Sequence, residues 1–132
     1  MSGEVPDIRD LIPPEVIELR EGYVKMRFKA RPEFRNPGGA MQGGLVTAML
    51  DMGMGYASID IYTTASMNIE ILRPVMADEV VVAARVVRNG RRIVFAEAQM
   101  HDDAGTLLAR GTQTGVIVEP ATRNPLLSGA AP

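Results

Sequence analysis

The chain has 132 residues, 46% hydrophobic and 23% charged, which is the make-up of one ordinary domain with a core of its own. Lys and Arg number 14 against 16 Asp and Glu, so the formal charge is −2, and a nucleic-acid partner, held by clustered basic charge, is not expected. With Cys 0 and His 1, disulfides, thiolate metal sites, cysteine nucleophiles and histidine-rich metal centres are excluded.

The polar stretch from Met1 to Asp10 carries acids and does not read as a signal peptide. No window approaches the ~18 apolar residues of a membrane-spanning helix. A cytoplasmic location with no membrane partner is therefore expected. Residues 1–13 read as an N-terminal extension with little pattern, ended by Pro13-Pro14, which sets an extended run into the first strand. Val16-Ile17-Glu18-Leu19, a turn at Glu21-Gly22 and the alternating Tyr23-Val24-Lys25-Met26-Arg27-Phe28-Lys29-Ala30 predict a half-buried antiparallel hairpin. Pro32 ends it, and Arg35-Asn36-Pro37-Gly38-Gly39 is a loop.

From Gly43 to about Ile59 the period becomes helical. Leu45, Met49, Met52, Tyr56 and Ile59 form one apolar stripe, while Gly44, Ala48, Asp51, Gly55 and Ser58 share another face, small except for the acid. Interior glycine costs a helix about 1 kcal/mol relative to alanine. A face of small residues lets another backbone or a ligand come close. The pattern is then β to the end of the core: Ile61 to Leu72, Asp78 to Arg88, an Asn89-Gly90 hairpin turn, Ile93 to His101, a turn over 102–105, and Thr106 to Val118. Residues 119–132 read as a frayed tail. A hairpin, one long helix and about four antiparallel strands predict an α+β domain over 14–118 with the helix across one sheet face. Such a sheet leaves uncovered edges, and dimerisation would remove them.

Two places can carry chemistry. Asp51 lies mid-helix, with Thr47 and Gly55 rather than a base at i±4. An acid on a helix usually faces solvent or bonds a neighbouring strand, but the small residues around this one do not suit a solvated face. The second place is the glycine-rich run Asn36 to Gly44, which leaves N–H groups unsatisfied at a helix N-terminus and could hold a phosphate or an oxyanion. Gly43 and Asp51 are eight residues apart, about 12 Å along a helix. If both serve one reaction, they come from different chains with antiparallel helices.

The order β–α–β–β–β–β, the segment Asn36-(x5)-Gln42-Gly43-Gly44-(x6)-Asp51 and Met67-Asn68-Ile69-(x3)-Arg73-Pro74 resemble the hotdog-fold acyl-CoA thioesterases, in the branch of phenylacetate-pathway and thioesterase-superfamily members. The resemblance spans about residues 14 to 118. It implies a curved antiparallel sheet wrapped around one long helix. It also implies that Gly43 N–H polarises the thioester carbonyl, that Asn36 is the loop asparagine, and that Asp51 activates water or attacks directly. Thr64 falls where the family often places a water-positioning hydroxyl. Gln42 departs from the usual histidine: an amide donates a hydrogen bond but carries no proton at useful pH.

The resemblance implies an acyl-CoA substrate, coenzyme A being part of the substrate, with no cofactor and no metal, and a homodimer or homotetramer. Arg88, Arg91 and Arg92 flank the hairpin turn, either as solvated cations that discourage edge aggregation or, on the resemblance, as ligands of the coenzyme A phosphates. His101 beside Asp102-Asp103 reads as a solvated turn residue. The methionines read mostly as core, with Met41, Met52 and Met54 also candidates to line an acyl pocket. The expected activity is acyl-CoA thioester hydrolysis. A non-catalytic acyl-CoA or small-hydrophobe binding protein of the same fold is the alternative, and a dehydratase of that fold is disfavoured by the missing histidine.

Overall fold

A computed structural model describes residues 5–118; the expected tail at 119–132 lies outside the described residues. In chain order the elements are α1 (Ile8–Leu11), β1 (Glu15–Arg20), β2 (Tyr23–Lys29), a 3₁₀ turn (Pro32–Phe34), α2 (Gly43–Ala57), β3 (Tyr62–Ile71), β4 (Glu79–Asn89), β5 (Ile93–His101) and β6 (Leu107–Ile117). The sequence reading has no counterpart for α1. Four residues show no periodicity, and what forms the turn is a capping box, with the Asp7 side chain accepting from Arg9 N–H and Asp10 returning to the Asp7 N–H. Arg9 also interacts with Tyr56 on α2. Ile12, just beyond, is 1% exposed and belongs to the core, so the core reaches into the stretch expected as an extension.

The strands form one antiparallel sheet in the order β1-β2-β4-β5-β6-β3. Alternation settles which side chains face α2. Val24, Met26 and Phe28 of β2 are buried with Val80, Val82 and Ala84 of β4 and Ala96, Ala98 and Met100 of β5, while Lys25, Arg27 and Arg85 point the other way. This is the hotdog arrangement that the resemblance implies, with α2 as the crossover that carries the chain to the far edge of the sheet.

The buried face of α2 is not the stripe expected from spacing. It is made by Val46, Met49, Leu50, Met52, Gly53, Met54 and Ala57, whereas Leu45 and Tyr56 are half-buried at its flanks and Ile59 lies beyond the helix. The shift follows from Gly53. A Cβ there would stand 2.7 Å from Val82 Cγ1 and 3.4 Å from Ala84 Cβ, so the helix axis lies closest to the sheet where its own side chain is absent. Of the small-residue face, Gly44 and Gly55 have nothing within 4 Å of a built Cβ and both are exposed, Ala48 and Asp51 are half-buried, and Ser58 is turned inward. The other exposed feature is β3, an edge strand whose residues are exposed except for Tyr62 and Ile69.

Candidate functional site

The loop before α2 is held by its own chain rather than left open. Asn36 Oδ1 accepts from Gly38 N–H at 2.9 Å and Ala40 N–H at 3.3 Å, and the Asn36 and Ala40 backbones bond at 2.7 Å. Arg35 donates to the carbonyls of Gly39 at 2.9 Å and Ala77 at 3.1 Å, tying the loop to the chain that precedes β4. Gln42 N–H bonds the Phe34 carbonyl at 2.8 Å, and Gln42 is the N-cap of α2 with no side-chain cap bond. Its amide is therefore exposed at the mouth of the helix. Asn36, having spent its carbonyl inside the loop, keeps Nδ2 as its remaining donor. Gly43, the first residue of the helix, carries one of the N–H groups that no intrahelical carbonyl can reach.

Asp51 lies two turns further on and is half-buried. Gln113 on β6 lies close enough to act on its carboxyl. The same amide accepts from Thr64 Oγ1 at 2.8 Å and donates to the Tyr62 hydroxyl at 2.9 Å. Burial raises the Asp51 pKa above the ordinary carboxylate value, and the Gln113 hydrogen bond offsets part of that rise. Tyr62 is also pushed up, first by burial and then by the negative charge of Asp51, so its hydroxyl keeps its hydrogen. The ring of Tyr62 lies over Gly115, where a Cβ would approach within 2.0 Å of it.

The expected residues thus fall into two groups within one chain. Asp51 and Thr64 meet through Gln113 near the start of β3. Asn36, Gln42 and Gly43 gather at its other end, where a Cβ on Gly43 would touch Ile71 Cδ1 at 3.4 Å. Arg88, Arg91 and Arg92 lie exposed on the β4–β5 hairpin and, among the described residues, none forms an ion pair. That hairpin belongs to the Asp51 end: Asn89 Nδ2 donates to Asp60 Oδ2 at 3.2 Å, and Ile117, the strand partner of Tyr62, donates to the Arg92 carbonyl at 2.8 Å.

His101 closes β5 beside a turn built by Asp102, whose Oδ1 accepts from Ala104 and Thr106 N–H. Met41, Met52 and Met54 are all buried in the core. A groove of about 330 Å³ lies away from these groups, on the outer sheet face. Its cations are already matched, Arg85 by Glu97 at 2.5 Å and Arg110 by Glu70 at 2.8 Å, so the chemistry favours the Asp51 surroundings over this groove. No cluster of His, Cys, Asp and Glu that could hold a metal occurs among the described residues. Nor is any helix among them long and apolar enough to cross a membrane.

Three residues that shape the site were not singled out from the sequence. Arg35 and Tyr62 carry no motif of their own. Gln113 does leave a signal, because it stands in phase with the inward positions Ala109, Gly111, Gly115 and Ile117 of β6. A lone polar side chain in an otherwise inward-facing row requires a buried partner.

A family model for the acyl-CoA thioesterase N-terminal domain matches residues 31–119. A protein provisionally named an esterase in Saccharolobus solfataricus is 26% identical over 127 residues, covering 92% of this chain and 85% of that protein. Among solved structures, a provisionally named thioesterase from Ralstonia eutropha, related to phenylacetic acid degradation, superposes with a TM-score of 0.78 at 26% identity, over 87% of this chain and 94% of that one. Zebrafish thioesterase superfamily member 2 superposes with a TM-score of 0.79 at 25% identity, over 88% and 89% of the respective chains.

Proposed function

The chain belongs to the family of acyl-CoA thioesterase N-terminal domains, and from that premise we propose that it hydrolyses an acyl-CoA thioester to the free acid and coenzyme A at a site shared by two copies of the chain. The observation that carries the reading is the separation of the two groups along an exposed edge strand. Gly43 sits by Ile71 at one end of β3, and Asp51 by Thr64 and Gln113 at the other. Antiparallel pairing of β3 with its copy about a two-fold axis sets the end of one strand against the start of the other. The partner's Gly43 then faces Asp51, and the partner's Asn36 and Gln42 arrive with it. The hairpin arginines lie at the same end and are free to take the coenzyme A phosphates.

In this arrangement Asp51 removes a proton from a water steadied by Thr64, and the water oxygen attacks the thioester carbon. The carbonyl oxygen gains negative charge and is held by the partner's Gly43 N–H, a donor aimed where charge develops, while Asn36 and Gln42 orient the carbonyl. Collapse breaks the C–S bond, and the departing thiolate recovers the proton from Asp51. Direct attack by the carboxylate to give an anhydride, then hydrolysed, uses the same groups. A raised Asp51 pKa suits a base working near neutrality.

Gln42 favours a second reading, an acyl-CoA binder without turnover, because it supplies no titratable group beside the carbonyl. Release of free thiol from a panel of short, long and aromatic acyl-CoAs separates the two. Turnover by the wild type, lost in Asp51→Asn, supports the hydrolase. Tight binding with no thiol release, and hydrolysis gained in Gln42→His, supports the binder.

A further inference from the structure

We propose that Gln113 is a positioning residue that fixes the direction of the hydrogen bonds around Asp51, so that Thr64 Oγ1 can only accept from the attacking water while the Tyr62 hydroxyl keeps its hydrogen to donate. The inference rests on the reading of Asp51 as the group that activates water. Gln113 is 3% exposed; its two ends bond two hydroxyls and it acts on a neighbouring carboxyl. A carboxylate only accepts hydrogen bonds, whereas hydroxyls do either. The amide stands with Nε2 donating to the Tyr62 oxygen at 2.9 Å, and the same orientation suits the neighbouring carboxyl, whose pKa only a donor lowers. Oε1 is left for Thr64 at 2.8 Å.

The consequence passes outward along the network. The Thr64 hydroxyl has one hydrogen, and Gln113 takes it, so the exposed side of Oγ1 offers lone pairs alone. A water lying between Asp51 and Thr64 gives one hydrogen to each and keeps a lone pair for the carbonyl carbon. Tyr62 accepts from Nε2, so its own hydrogen is available to the carboxyl or to a bound carbonyl. An apolar side chain of the same size at 113 would fill the space between Gly111 and Gly115 but would leave both hydroxyls free to rotate.

Gln113→Met removes the amide at similar volume. Two measurements on it separate a directing role from a packing one: the titration of the Asp51 carboxyl carbon by NMR, which needs no substrate, and the pH profile of hydrolysis. The expected results are a rise in the Asp51 midpoint, a matching rise in the acidic limb of kcat/KM, and a fall in kcat of about tenfold or more with KM nearly unchanged. An Asp51 titration identical to wild type in the folded variant would overturn the proposal. If Asp51→Asn keeps full turnover, the hydrolytic reading of Asp51 fails, and the titration still decides whether Gln113 governs the carboxyl. Should Gln113→Met not fold, Thr64→Val tests the exposed end of the network: kcat is expected to fall about tenfold with KM unchanged, and wild-type kcat would overturn the proposal.

Discussion

Asp51 is held where its charge is uncomfortable. Burial raises its pKa more than the Gln113 hydrogen bond lowers it, so between the unfolded-state and folded-state values the native chain binds more protons than the unfolded one. Stability contributed by this group therefore falls as pH rises through that window, and at neutral pH the ionised carboxyl weakens the fold. Asp51→Asn keeps an acceptor for Gln113 and removes the charge. It should lower thioester hydrolysis by about 10²–10⁴, the usual worth of a general base. The same variant should melt slightly above wild type at pH 7, by calorimetry, with the gap closing as pH is lowered through the Asp51 window. A lower Tm across the whole range would mean that the carboxylate stabilises the fold instead. The sequence shows this acid because nothing at i±4 pairs with it and its neighbours are small. It does not show Tyr62, because the contact between that ring and Gly115 joins strands brought together only by the far-edge placement of β3.

At the scale of the helix, two glycines of one element have opposite reasons. Gly53 lets α2 come down on Val82 and Ala84, and a methyl group there meets a strand side chain at 2.7 Å. Gly53→Ala should gain about 1 kcal/mol of helix propensity but lose ~1–3 kcal/mol to overpacking, giving a net loss of up to about 2 kcal/mol in denaturant unfolding. Gly55 has nothing within 4 Å in its own chain, so an isolated chain would gain about 1 kcal/mol from Gly55→Ala. Gly55→Leu should shift the protein toward monomer in analytical ultracentrifugation if that face meets a second copy, and leave the sedimentation unchanged if it does not. Helix propensity alone marks an interior glycine as costly without telling these two reasons apart. Spacing places Met49 and Met52 of the buried stripe correctly but adds Leu45, Tyr56 and Ile59, because periodicity counts apolar residues and cannot register a close contact made by a residue with no side chain. The strands are easier to read: the valine-rich alternation of β4 has one physical meaning and β5 runs from Ile93 to His101 as expected. The turn expected at Asn89-Gly90 instead falls on Arg91 and Arg92, since Asn89 still pairs Val94 in the sheet.

For the molecule as a whole, one chain presents an exposed edge strand with half of the proposed site at each end of it. A ten-residue edge with free N–H and C=O groups invites pairing, and pairing with a copy is the arrangement that joins the halves. A chain of this size should accordingly sediment as at least a dimer at micromolar concentration. The expectation of a second chain is already legible from the eight-residue offset of Gly43 and Asp51; which edge it would use emerges only from the sheet order. The most direct test mixes two inactive variants. Asp51→Asn removes the base. Gly43→Pro removes the donor N–H at the first helical position, where proline is tolerated and where Gln42, at ψ 136°, already has the conformation that precedes proline. Unfolded together and refolded at equal concentrations, the two chains should recover about a quarter of wild-type hydrolysis, since half of randomly paired dimers are mixed and each mixed dimer holds one intact site of two. Mixtures as inactive as the separate variants would contradict a site shared between chains.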